Sequence, residues 1–127
     1  MNELFKKRYV FLTGAILSAY LIVSPTVGRA DNAVVVDPGH YKVEFENEKV
    51  RIIRARYGAR ERSVTHEHLA GIGIELTNGH FKVTLADGTV VENKSNAGDV
   101  NWFDAGRHAA ENLMNAPYEA VYIEIKD

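Results

Sequence analysis

The sequence contains no cysteine. That absence removes disulfide frameworks, thiolate metal sites, iron–sulfur clusters and a cysteine nucleophile together. After residue 40 there is no sustained apolar period near 3.6, so amphipathic helices are not expected there. No internal repeat, low-complexity stretch or linker divides the chain. A glycine-rich phosphate loop is missing, and Ser63 and Ser95 lack the surroundings of a nucleophilic serine. Excess positive charge is also missing from most of the chain. Four of the fifteen basic residues and one of the seventeen acidic ones lie in residues 1–30, which leaves eleven against sixteen for the rest. So acidic a region would be repelled by nucleic-acid phosphates, and no nucleic-acid partner is expected. What remains is ordinary for one globular domain: 127 residues, 46% hydrophobic and 25% charged.

The first thirty residues read as an address. Lys6-Lys7-Arg8 precedes an uncharged run with an apolar centre from Ala15 to Val23; Pro25 follows, and Gly28-Arg29-Ala30 offers small residues for a cut after Ala30. That is the layout of a secretory signal peptide. The same run could just span a bilayer core of ~30 Å, so a membrane contact is expected only if it stays uncleaved. Either way residues 31–127 form the working domain, exported to a periplasmic or secreted location.

That domain reads as short alternating strands. Tyr41, Val43 and Phe45 share one face. In Val50 to Tyr57 the face of Ile53, Ala55 and Tyr57 opposes that of Ile52, Arg54 and Arg56. Ile72, Ile74 and Leu76 alternate with Gly71, Gly73 and Glu75, which points the isoleucines inward and Glu75 outward. Phe81, Val83 and Leu85 lead to Asp87-Gly88, a hairpin signal suited to a type I′ turn. Val100 to Phe103 and Ala120 to Ile125 complete the set. Many short strands with turn residues between them indicate an all-β sandwich or barrel. Exposed strand edges in so short a barrel favour a homodimer.

Five histidines occur. His40 and His80 read as surface or hydrogen-bonded side chains. His66 and His68 form an H-x-H pair, which in a strand places both imidazoles on one side, about 6–7 Å apart. Two ligands so placed can converge on one divalent ion, with a third needed from elsewhere in the chain.

The stretch from Gly58 to Asn112 resembles a small single-domain cupin, a jelly-roll β-barrel. His66-Glu67-His68 and Gly79 match the first motif of that family; Gly98, Gly106, His108 and Asn112 match the second. Asp104 stands where the family has proline, and Ile72 stands where it has a metal-binding glutamate. The resemblance implies a three-histidine set, His66, His68 and His108, able to hold Fe²⁺, Zn²⁺, Mn²⁺ or Ni²⁺ with positions left for water or substrate. It further implies a small-molecule pocket walled by Ile72, Ile74, Phe81 and Trp102, with Asn112 beside it. Oxygenase-type chemistry is the expectation for an enzyme. A non-catalytic sensing module and a metal-free structural barrel are the alternatives.

Overall fold

The computed structural model describes residues 31–127; the signal-peptide reading of residues 1–30 lies outside the described residues. A one-turn helix α1 (Ala33–Val36), capped by the Asn32 side chain accepting from the Val34 N–H, precedes nine strands. They are β1 (Tyr41–Glu46), β2 (Val50–Tyr57), β3 (His66–His68), β4 (Gly71–Glu75) and β5 (Gly79–Leu85), then β6 (Val90–Ser95), β7 (Val100–Phe103), β8 (Gly106–Asn112) and β9 (Tyr118–Ile125). Among the described residues no helix is long and apolar enough to cross a membrane.

The strands form two antiparallel sheets, ordered β1-β2-β9-β4-β7 and β3-β8-β5-β6. Consecutive strands are mostly not neighbours, so the chain crosses repeatedly from one sheet to the other, as in a rolled double sheet. The core between them is small and aromatic. Ile53, Ala55 and Tyr57 of β2 and Tyr118 and Ala120 of β9 are buried, as the alternation in β2 requires.

Three local expectations are corrected. In β1 only Tyr41 is buried: a bulge between Val43 and Phe45 shifts the register, pairs Phe45 with Ile52 on the outer face, and leaves it half-exposed. The β5–β6 hairpin is not type I′, because Gly88 has positive φ and Asp87 does not. Gly88 N–H donates to the Leu85 carbonyl and Leu85 N–H to that of Thr89, the pattern of a three-residue loop with glycine in the left-handed position.

The third correction concerns β4. Its register with β9 sets Gly71, Gly73 and Glu75 opposite Glu124, Tyr122 and Ala120, all on the inner face. Ile72 and Ile74 pair with Ile123 and Val121 on the outer face, and Glu75 points inward. The alternation was visible, but its more apolar side is the outer one. Gly71 shows why the inner side is bare at that point. A Cβ there would lie 2.0 Å from the Ile123 carbonyl oxygen, so only glycine lets β4 approach β9.

Candidate metal centre

His66 and His68 sit on β3, and His66 lies directly across the ladder from His108 of β8. All three rings therefore emerge from one face of the four-stranded sheet, toward the other sheet. Each offers a ring nitrogen, and these nitrogens lie within 4.8 Å of one another. The three ring centroids are 4.7 to 5.5 Å apart. The sequence expectation and the structure name the same three residues.

Hydrogen bonds fix the tautomers. His66 Nδ1 lies 2.8 Å from the Val64 carbonyl oxygen, which can only accept, so Nδ1 carries the proton. His68 Nδ1 lies 2.9 Å from the Glu124 carboxylate and is likewise the donor. Both Nε2 atoms are then bare lone pairs. Both are buried, and neither has a hydrogen-bond partner. Burial holds His66 down to a pKa of about 4. His108 is held to about 3, by burial first and then by the two neighbouring imidazoles. Above the acid range these two rings are neutral, the form a metal needs. Two fully buried acceptor nitrogens aimed at a common point, with the protons turned away, fit a divalent cation.

Glu124 was not anticipated from the sequence. It is fully buried, holds His68 Nδ1 through one oxygen and accepts from Arg51 Nε at 2.8 Å through the other. An arginine–carboxylate–imidazole chain of this kind orients a ligand and raises its basicity. The sequence signal was a lone charge in the apolar run Val121 to Ile125, on the same side as Tyr122 and Ala120. A charge at an inward position needs a partner.

A cavity of about 470 Å³ opens beside the histidines, bordered by His68 and His108. Tyr57, Phe81, Phe103, Tyr118 and Tyr122 supply its aromatic walls, and two carboxylates, Glu75 and the exposed Asp104, border it. Ser95 and Tyr118 line the same cavity as Glu75, whose Oε2 is buried without a partner. Burial raises the Glu75 pKa; it also raises that of Tyr122, to about 12, so the phenol stays protonated at neutral pH. Tyr41 packs its ring 4.8 Å from His66 and hydrogen-bonds through its hydroxyl to Tyr57.

Of the expected pocket residues, Phe81 lines the cavity. Ile72 and Ile74 do not; they lie on the outer face of β4, paired with Ile123 and Val121. Trp102 borders the cavity, yet it is 61% exposed and its indole N–H donates to Asp104, because it pairs with Ile72 on the outer face. Asn112 is buried away from the cavity. Its amide donates to the Gly58 and Ala116 carbonyls and its oxygen accepts from the Met114 N–H, a loop-pinning role. The ligand set stays at three imidazoles, since the inward positions flanking Ile72 are both glycine.

No protein-family model and no curated protein matches the sequence. Solved structures match its shape. A cupin domain from Bordetella pertussis Tohama I aligns with a TM-score of 0.64 at 22% identity, covering 68% of this chain and 92% of that one. The cupin domain of Schizosaccharomyces pombe Cnp3 aligns at 0.54 and 16% identity, covering 68% and 64%. A double-stranded β-helix domain protein from Klebsiella pneumoniae aligns at 0.52 and 18%, covering 67% and 76%. At such identities the likeness speaks for the fold alone.

Proposed function

We propose that this chain, a small domain with the cupin jelly-roll fold, binds one divalent metal ion through His66, His68 and His108 and acts on a small oxygen-bearing molecule in the adjoining cavity, by oxygenase-type chemistry. The observation that carries the metal is the pair of buried, unpartnered Nε2 atoms of His66 and His68. Left without a cation, each would cost roughly 1–3 kcal/mol. A metal held by three neutral imidazoles supplies Lewis acidity undiminished by ligand charge, and open coordination positions for oxygen donors.

The chain's own groups do the rest. Glu124, balanced by Arg51, keeps the His68 lone pair aimed inward. The aromatic walls bind apolar surface and limit water around the site. Glu75, with its free oxygen and raised pKa, is the group suited to exchange a proton with a molecule in the cavity. The export reading rests on residues 1–30 and places this chemistry outside the cytoplasm.

Elemental analysis of the chain purified from metal-replete medium tests the proposal, with His66→Ala as control. One ion per chain, lost in the variant, is expected. Oxygen uptake with a panel of small hydroxy and keto compounds then separates an oxygenase from a binding module. A wild-type chain without metal overturns the proposal.

A further inference from the structure

The cavity beside the metal centre has a second polar end. Glu75 stands four positions along β4 from Gly71, and Gly71 lies opposite Glu124, the partner of His68. At about 3.3 Å per residue, Glu75 sits about 13 Å along the strand from the level of that pair. Its half-buried side chain lines the cavity. Across the ladder is Ala120, and the inward positions on either side of Ala120 are Tyr118 and Tyr122.

The Glu75 carboxylate is short of donors. Its Oε2 is buried and has no hydrogen-bond partner. None of the ion pairs among the described residues includes Glu75. Lys94 also borders the cavity, but it lies opposite His80, at an outward position of β6 next to the inward pair of Phe81 and Asn93. Aromatic rings surround the same end. The Tyr118 and Phe81 rings are 4.6 Å apart and those of Phe81 and Tyr57 5.1 Å, and all three line the cavity. A carboxylate set among aromatic rings is the combination that holds an ammonium group: the carboxylate accepts its N–H donors and the ring quadrupoles attract its charge.

We infer that this end of the cavity is a subsite for a primary ammonium group, which donates to the Glu75 carboxylate and packs against the rings of Tyr118 and Phe81. The molecule taken by the cavity is then a small amine, long enough to bring oxygen donors to His66, His68 and His108 at the other end. The oxygen end rests on the metal-binding reading given above; the ammonium end stands on Glu75 and the rings alone. Charge selects an ammonium over a hydroxyl. A hydroxyl would occupy one lone pair and leave the carboxylate charge uncompensated in a half-buried place, whereas an ammonium supplies both donor and charge. Asp104, the other carboxylate on the cavity, is exposed and already accepts from the Trp102 indole, so it offers no equivalent site.

The probes are n-butylammonium and butan-1-ol, equal in length and different in charge. Calorimetric titration at neutral pH compares them on the full chain, on Glu75→Gln, on Asp104→Asn and on His108→Ala, with circular dichroism as the check on folding. The wild-type chain should bind the ammonium at least about tenfold more tightly than the alcohol. Glu75→Gln should abolish that preference, while Asp104→Asn and His108→Ala should keep it. A wild-type chain that binds the two probes alike, or neither, overturns the inference without reference to any variant. So does a preference that survives Glu75→Gln or vanishes with Asp104→Asn. Loss of the preference in His108→Ala overturns it as well, because the amine would then be bound by the metal. Metal content is measured on the same samples, so a chain that holds no ion yet still prefers the ammonium retains this inference while the metal reading fails.

Discussion

Glu124 does two jobs with one carboxylate, and they separate experimentally. One oxygen holds His68 Nδ1 and the other neutralises the half-buried Arg51. Glu124→Gln should lower metal affinity about 10–100-fold through the loosened imidazole. It should also lower stability by about 3 kcal/mol, because Arg51 keeps its charge and loses its counter-ion. Adding Arg51→Met should restore the stability and leave the affinity low. Chelator competition and thermal melts read the two effects, and equal recovery of both would show that Glu124 serves only the ion pair. The histidines themselves predict a pH response. His66 and His108 titrate near 4 and 3 in the fold and near 6.5 when unfolded, so between those values the unfolded metal-free chain binds more protons. Stability is then fully present above about pH 6.5 and falls as pH drops toward 4, by about 1.4 kcal/mol per pH unit for each histidine. Melts of the metal-free chain at pH 7.5 and 5 test this, and an unchanged midpoint would mean that the rings are solvated.

At the scale of elements, the strands were legible because their alternation is short and their turns are marked. His66 and His68 were legible as a pair for the same reason, while their union with His108 needed the family resemblance. What period alone could not supply was the sign of each face. In β4 the apolar side, Ile72 and Ile74, faces out beside Ile123 and Val121, and the bare side, Gly71 and Gly73, faces in, with Gly73 on the cavity. Burial usually tracks hydrophobicity, but β4 reverses that guide, because Gly71 sits tight against the Ile123 backbone and Gly73 borders the cavity. Glu75 and Glu124 were missed on the same ground, since a charge in an alternating strand reads as solvent-facing until its partners are seen. Gly71 turns this into a prediction. Gly71→Ala sets its Cβ against the Ile123 backbone, where nothing flexible can yield, and should cost at least about 3 kcal/mol. Gly73→Ala has only ordinary contacts with the Tyr122 ring, at 3.5 Å, and should be tolerated on that face. Denaturant melts of the two variants give the comparison, and equal losses would contradict the close approach of β4 to β9.

For the whole molecule the question is what holds residues 31–127 together with no disulfide. The buried hydrophobic residues among those described are few, and four of the eight are alanine. Polar and ionisable groups occupy much of the remaining interior, including His66, His68, Asn112 and Glu124. Asn112 and Glu124 are satisfied within the chain, whereas His66 and His68 each keep one nitrogen that only a cation or a ligand can satisfy. A metal that binds the folded form and not the unfolded one stabilises by mass action, by about 2.7 kcal/mol when its free concentration is a hundred times Kd. A domain of this size shifts its midpoint by roughly 4–8 °C per kcal/mol. Chelation of the loaded chain should therefore lower Tm by about 10–20 °C, with recovery on adding the metal back. His108→Ala should melt near the chelated wild type and respond to neither treatment. If the wild type loses its metal without a change in Tm, the three imidazoles hold an ion that contributes nothing to the fold, and the aromatic core between the sheets carries the stability without it.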